Sequence, residues 1–182
     1  PVIFLLVSLG GGLSIAGSIL AAQYVGAGNT PMVNRVAGQT LTMTVAVSLL
    51  LPPTGTLAAP LLLKLLRVEP AVFDDALAYM RISFGGILCG FAFATYQALM
   101  RSVGDTKRPL YLIAAGVIIN LLLDPLLIFG WGPVPALGVS GAAWATLVAQ
   151  ACMALAGLRM LFSARFGLQL QLRELLPQWG LI

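Results

Sequence analysis

Apolar residues along this chain gather into long, nearly unbroken runs, and polar residues collect in the short gaps between them. A helix needs about 20 apolar residues to cross a bilayer at 1.5 Å per residue. The runs therefore predict membrane spans over about 1–25, 36–51, 76–100, 109–130 and 138–162. The second run continues to Leu66, longer than a bilayer requires, and Pro52-Pro53 is expected to break it. A proline inside a helix removes one hydrogen bond and crowds the carbonyl four residues back. A separate short helix over 56–66, carrying Lys64, is the expected result. A polar connector over 163–176 and the start of another apolar segment over 177–182 follow.

Small residues recur inside the runs at helical spacing. Gly10, Ser14, Gly17, Ser18 and Ala21 form one strip, Gly86 and Gly90 a second, and Gly138, Gly141, Ala142 and Ala145 a third. Such strips let helix backbones approach closely in lipid, where packing and not water exclusion joins helices. The gaps read as turns. Residues 26–35 hold glycine and Asn-Thr-Pro breakers, and 101–109 hold a stop at Gly104, a new N-cap at Asp105 or Thr106, and Pro109 in the next first turn. Trp131 falls in the turn 130–137, at the expected water interface.

The run from Val117 to Thr146 carries the candidate chemistry. Asn120 and Asp124 stand four residues apart in an apolar span, so on a helix they share a face with Cβ atoms about 5–6 Å apart. Their oxygens are placed to grip one small cation or share one proton. Pro125 has no N–H, which leaves the Leu121 carbonyl without its helical donor beside them. An ionised Asp at the bilayer centre costs about 2.5–3.5 kcal/mol on insertion scales, so such a residue is expected to face a cavity or a partner. A carboxylate that only caps backbone groups freed near Pro125 is the structural alternative. Thr146 lies one turn after Ala142 on the small-residue face of the following span, from which it can offer a hydroxyl to the Asn120/Asp124 pair.

Composition sharpens this reading. The 182 residues are 59% hydrophobic and only 9% charged, against about 25% charged in a soluble domain, and mean hydropathy is +0.98. The fold class expected is all-α, a polytopic transmembrane helix bundle. A start without Met and an end inside an apolar segment suggest a fragment. The net charge of +4 comes from scattered Lys and Arg at run ends and makes no nucleic-acid patch. With no histidine, Ser-His-Asp catalysis and HExxH zinc sites are excluded from this portion. Cys89 and Cys152 lie within apolar runs and support neither a disulfide framework nor a metal site. Gly26-Ala27-Gly28 lacks the ending of a phosphate loop. Glu69, Asp74 and Asp75 lack calcium-loop spacing and read as solvated helix-start charges. Arg81, near a span end, is placed to snorkel. Arg35, then Arg101, Lys107 and Arg108, then Arg159, Arg165 and Arg173 mark alternate gaps as cytoplasmic by the positive-inside rule.

Two stretches together resemble the multidrug and toxic compound extrusion (MATE) family. One is Arg101-Ser102-Val103-Gly104-Asp105-Thr106-Lys107-Arg108-Pro109-Leu110. The other runs from Asn120 through Asp124-Pro125 to Phe129 and on through Gly138-Val139-Ser140-Gly141-Ala142-Ala143-Trp144-Ala145-Thr146. The resemblance extends over nearly the whole chain. It implies about twelve helices in two repeated lobes, of which this chain would supply helices two to six, with alternating access around a central site. It further implies export of cationic or amphiphilic drug-like compounds in exchange for Na⁺ or H⁺. The coupling site would fall on Asp124, Asn120 and Thr146, with Na⁺ held at Asp124 and Asn120 if sodium is the ion. The family's acidic residue on the first helix would precede Pro1. No cofactor is implied beyond the coupling ion. Partners would be the drug-like substrate, membrane lipids and the rest of the same transporter, in a bacterial inner membrane.

Three other readings compete. A lipid or lipid-linked oligosaccharide flippase of the same wider superfamily would call for a more basic central cavity, and the apolar spans hold only Arg81. A membrane-embedded lipid-modifying enzyme would call for clustered acids or a metal site. A purely structural membrane protein leaves the cost of burying Asp124 without a return.

Overall fold

The computed structural model describes residues 2–132 and 135–163, with side chains from residue 11 onward. The predicted connector from residue 164, with Arg165 and Arg173, and the segment 177–182 lie outside the described residues. Five long helices follow one another: α1 (Val2–Gly26), α2 (Thr30–Leu65), α3 (Phe73–Ser102), α4 (Lys107–Phe129) and α5 (Val139–Phe162). Four of them, α2 to α5, are long and apolar enough to cross a membrane. The chain is an all-α polytopic helical bundle.

Side-chain oxygens set the starts of α2 and α4. The Asn29 side chain accepts the Met32 N–H at 3.2 Å, and Pro31 sits in the first turn, where a missing N–H costs nothing. Helix α2 therefore begins at Thr30, six residues before the apolar run. Asp105 Oδ1 accepts from the N–H groups of Lys107 and Arg108 at 3.1 and 3.2 Å, while its Oδ2 meets the Arg108 guanidinium at 2.7 Å. That carboxylate caps α4 and suits the positive end of the helix dipole.

The predicted break at Pro52-Pro53 is corrected by the structure. Helix α2 runs without interruption through Pro52, Pro53 and Pro60, so there is one 36-residue helix where the sequence suggested a span to 51 and a separate helix over 56–66. Tertiary packing explains the continuity. Past the prolines, Ala59 and Leu63 are buried, and Ala59 joins Phe84, Ile87 and Phe91 of α3 in one apolar cluster. Gly55 lets the Phe84 ring lie on the α2 backbone, in space that a Cβ would occupy. Polar groups near the prolines stay within the helix: the Thr54 hydroxyl donates to the carbonyl of Leu50 at 2.8 Å, and that of Thr56 to Pro52 at 2.8 Å. Ser and Thr hydroxyls placed this way help a proline-bearing helix survive in lipid.

Helix α3 is the hub and packs against α1, α2 and α5. At one end of the bundle, Ala21, Val33, Val36, Tyr96, Leu99, Met100 and Leu161 bring α1, α2, α3 and α5 into one cluster. Midway, the buried hydroxyls of Ser14 and Thr95 lie 3.0 Å apart and tie α1 to α3. Helix α4 stands apart from this core. It packs mainly on α5 and leaves Leu110, Tyr111, Val117, Ile118, Leu121 and Leu122 exposed.

Because Gly55 faces an aromatic ring with no slack, Gly55→Val is expected to destabilise the full-length protein by about 1–3 kcal/mol. Phe84→Ala in the same background should recover part of that loss, since directly packed pairs are not additive. Thermal unfolding in detergent measures both; additive losses would contradict the contact.

Candidate functional site

The hairpin of α4 and α5 is pinned at two places. Near one end Gly116 of α4 accepts the Met153 thioether where a side chain would otherwise stand, and near the other Gly141 of α5 presses on the backbone of Leu127. The chain between the helices closes the second contact. Helix α4 ends at Phe129, so the carbonyls of Leu127 and Ile128 lack helical donors, and the N–H groups of Leu137 and Gly138 supply them at 2.9 and 3.2 Å. Gly130 and Gly138 turn the chain with φ of 75° and 56°, a region that favours glycine.

Asn120, Asp124 and Thr146 lie between these two pins, and the structure brings all three together. Thr146 is anchored by its hydroxyl, which donates to the Ala142 carbonyl at 3.0 Å. The Asn120 amide bridges the helices in either of two orientations. In one, its nitrogen donates to Thr146 Oγ1 at 3.4 Å and its oxygen faces Asp124 Oδ2, an acceptor against an acceptor. In the other, its nitrogen donates to Asp124 Oδ2 at 3.2 Å and its oxygen accepts from the Thr146 N–H at 3.2 Å. An ionised Asp124 requires the second, because a carboxylate can only accept.

Asp124 remains incompletely satisfied even then. Its Oδ1 is shut off from solvent and has no hydrogen-bond partner among the described residues. The one ion pair among those residues joins Arg108 to Asp105, so none of them supplies a cation to this carboxylate. A buried acceptor without a partner costs about 1–3 kcal/mol, more when charged. A proton on Oδ1, or a small cation beside it, would remove that cost. The donors within reach are carboxylate, amide, hydroxyl and carbonyl oxygens, which suit hard cations and not soft metals. No cluster of three His, Cys, Asp or Glu side chains exists among the described residues.

A cleft of about 380 Å³ lies next to this group, between α3 and α5, and Thr146 forms part of its wall. Tyr79, Ser83 and Gln150 supply its other polar side chains, and Phe91, Phe93 and Met153 much of its apolar lining. Gly86 and Gly90 leave room there for the Gln150 amide oxygen, which lies 3.5 Å from where a Cβ would stand on either. The sequence marked Gly86 and Gly90 as a helix contact, and both also border this cleft. Ser83 was missed, although it precedes Gly86 and Gly90 at helical spacing on the same strip. Arg81, placed by the sequence near a span end, is exposed at its end of α3.

Comparison with known proteins gives a consistent result. The MatE family model matches residues 1–126. The probable multidrug resistance protein YoeA of Bacillus subtilis is 34% identical over 148 residues, covering 81% of this chain and 32% of that protein. A protein of Shewanella oneidensis named as an FAD transporter is 32% identical over 147 residues, again 81% of this chain and 32% of its own length. The solved structure of a MOP superfamily transporter from Pyrococcus furiosus matches 99% of this chain and 39% of its own with a TM-score of 0.89 at 25% identity. The chain thus spans about a third of the length of these curated relatives. With the family model matched over more than half of its residues, and with these relatives beside it, the chain belongs to the MatE family.

Proposed function

We propose that this chain forms part of a secondary transporter that exports drug-like compounds across a bacterial inner membrane in exchange for Na⁺ or H⁺, with Asp124 as the ion-responsive group. The observation that carries the reading is the sealed, unpartnered Oδ1 of Asp124 beside Asn120 and Thr146 in a membrane-spanning hairpin. Family membership supports transport, and relatives named as multidrug resistance proteins support the cargo class. The positive-inside rule puts the gaps with Arg35 and with Arg101, Lys107 and Arg108 on the cytoplasmic side.

The chemistry follows from the Asn120 amide. While Asp124 is ionised, the amide nitrogen must face it, and the amide oxygen is taken up by the Thr146 N–H. A proton or Na⁺ on the carboxylate makes the opposite orientation acceptable: the amide oxygen then faces the proton or ion and its nitrogen turns to Thr146 Oγ1. Ion binding thereby changes a bond between α4 and α5. Thr146 also walls the cleft, so the change reaches the surface where cargo would lie. The ion shifts the conformational balance only by its different affinity for the two states. The cleft, with aromatic and apolar walls and uncharged polar groups, suits an amphiphilic molecule. The relative named as an FAD transporter favours a second cargo class, a flavin dinucleotide.

Asp124→Asn in the full-length protein is expected to abolish ion-driven export in proteoliposomes while leaving the protein folded. Export that still follows the imposed ion gradient as in the wild type would refute the switch. Thr146→Val removes the hydroxyl that accepts from the Asn120 amide in the ion-bound orientation and should shift the ion dependence of export by about two- to tenfold, the usual consequence of deleting a hydrogen bond between neutral groups. Titrating export against Na⁺ and against pH measures this shift and identifies the ion. Competition of labelled drug export by flavin dinucleotide separates the two cargo classes.

A further inference from the structure

Helix α2 is weakest where two differently anchored parts of it meet. Pro52 and Pro53 have no N–H, so the carbonyls of Ser48 and Leu49, one turn earlier, lose their helical donors side by side. The next four carbonyls each receive a side-chain donor. The Thr54 hydroxyl donates to those of Leu50 and Leu51 at 2.8 and 3.1 Å, and the Thr56 hydroxyl to those of Pro52 and Pro53 at 2.8 and 3.1 Å. Hydroxyls bonded back in this way bend a helix, and sharp kinks form at prolines.

The two parts are held unequally. Before the prolines α2 is gripped by several helices: Val33, Val36, Ala37 and Leu41 lie in the cluster shared with α1, α3 and α5, and Thr40 fills the space beside Gly17 of α1. After them the buried residues of α2 are Gly55, Ala59 and Leu63, a single stripe at four-residue spacing. The Phe84 ring of α3 lies against Gly55, and Ala59 joins the same cluster, while Leu57, Leu61 and Leu65 on the other side of the helix are exposed among the described residues. One contact with α3 therefore holds the whole of this part in line with the rest.

That contact is also the back of the cleft. Ile87 and Phe91 belong both to the cluster that seats Ala59 and to the wall of the cleft between α3 and α5. A shift of residues 54–65 would repack two of the cleft's apolar side chains from behind. Packed cores switch between discrete arrangements and do not deform continuously, so a small shift there has a large effect.

We propose that residues 54–65 form an arm that swings about Pro52-Pro53 and, through Phe84, Ile87 and Phe91, changes the shape of the cleft. The prolines let the arm leave its seat, and the Phe84 ring on Gly55 is the latch that holds it there. The device lies on α2 and α3, apart from Asp124, and stands whether or not that carboxylate couples an ion. Only its link to export rests on the function proposed above.

The test uses the full-length transporter in proteoliposomes, with Cys89 and Cys152 replaced by Ser and spin labels attached in pairs at exposed positions. Leu61 with Leu155 of α5 reports the arm, and Leu50 with Leu155 reports α2 just before the prolines. Electron–electron distance measurement should give two components for the arm pair and one for the control pair. P52A/P53A, which returns both N–H donors, should remove the second component, lose most of the export of a labelled drug, and unfold at a temperature no lower than the wild type. Phe84→Ala, which takes the ring off Gly55, should enlarge the second component. A single component for the arm pair in the wild type, both components persisting in P52A/P53A, or two components in the control pair as well would overturn the proposal. Undiminished export by P52A/P53A after the second component has gone would also overturn it, because the hinge would then not serve the cleft. The distances are read without an ion gradient, so a failure here is distinguishable from a failure of ion coupling at Asp124.

Discussion

Helices in a bilayer gain nothing from hiding oily surface from one another, since lipid tails are as apolar as leucine. What joins them is how closely their backbones can approach, and in this chain glycine sets that distance at most of the helix pairs. Gly17 meets Thr40 between α1 and α2, Gly55 meets Phe84 between α2 and α3, Gly157 meets Tyr96 between α3 and α5, and Gly116 and Gly141 fix α4 on α5. At all of these but Gly141, which meets the backbone of Leu127, a side chain from the partner helix fills the space that the glycine leaves. Dispersion contacts are individually weak and fall off steeply with a gap, so these close fits are where packing energy is concentrated.

The consequence for function is positional. Helix α4 has little hold on the bundle except through α5, so the distance between Asn120, Asp124 and Thr146 is set by the two glycine contacts on either side of them. The polar group lies in the stretch where the backbones are held, and the Asn120 amide there joins Asp124 on its own helix to Thr146 on the other. The same hairpin leaves the opposite face of α4 exposed among the described residues.

Much of the local structure was legible in the residues. Run length and the near absence of charge fixed the all-α membrane bundle, because lipid offers unpaired backbone groups no alternative donors. The cap at Asp105, the turn at Gly130 and the pairing of Asn120 with Asp124 on one face follow from side-chain chemistry within a few residues. The prolines misled. Pro52-Pro53 carries a strong local signal for a break, yet α2 continues, because Gly55 and Ala59 dock on Phe84 and its neighbours in α3, far along the chain. Propensity is a local preference, and packing between distant segments overrides it.

Sequence alone therefore settled the helical class of the chain and which residues share a helix face, since both follow from apolar run length, the 1.5 Å rise and the repeat of about 3.6 residues per turn. It could not settle which faces meet. That Thr146 stands opposite Asn120, that one oxygen of Asp124 is sealed without a partner among the described residues, and that Gln150 and Ser83 border the same cleft all depend on how the helices are rotated and crossed. Those angles are fixed by the fit of glycines against bulky side chains from elsewhere in the chain, a sum over many weak contacts that no short stretch contains.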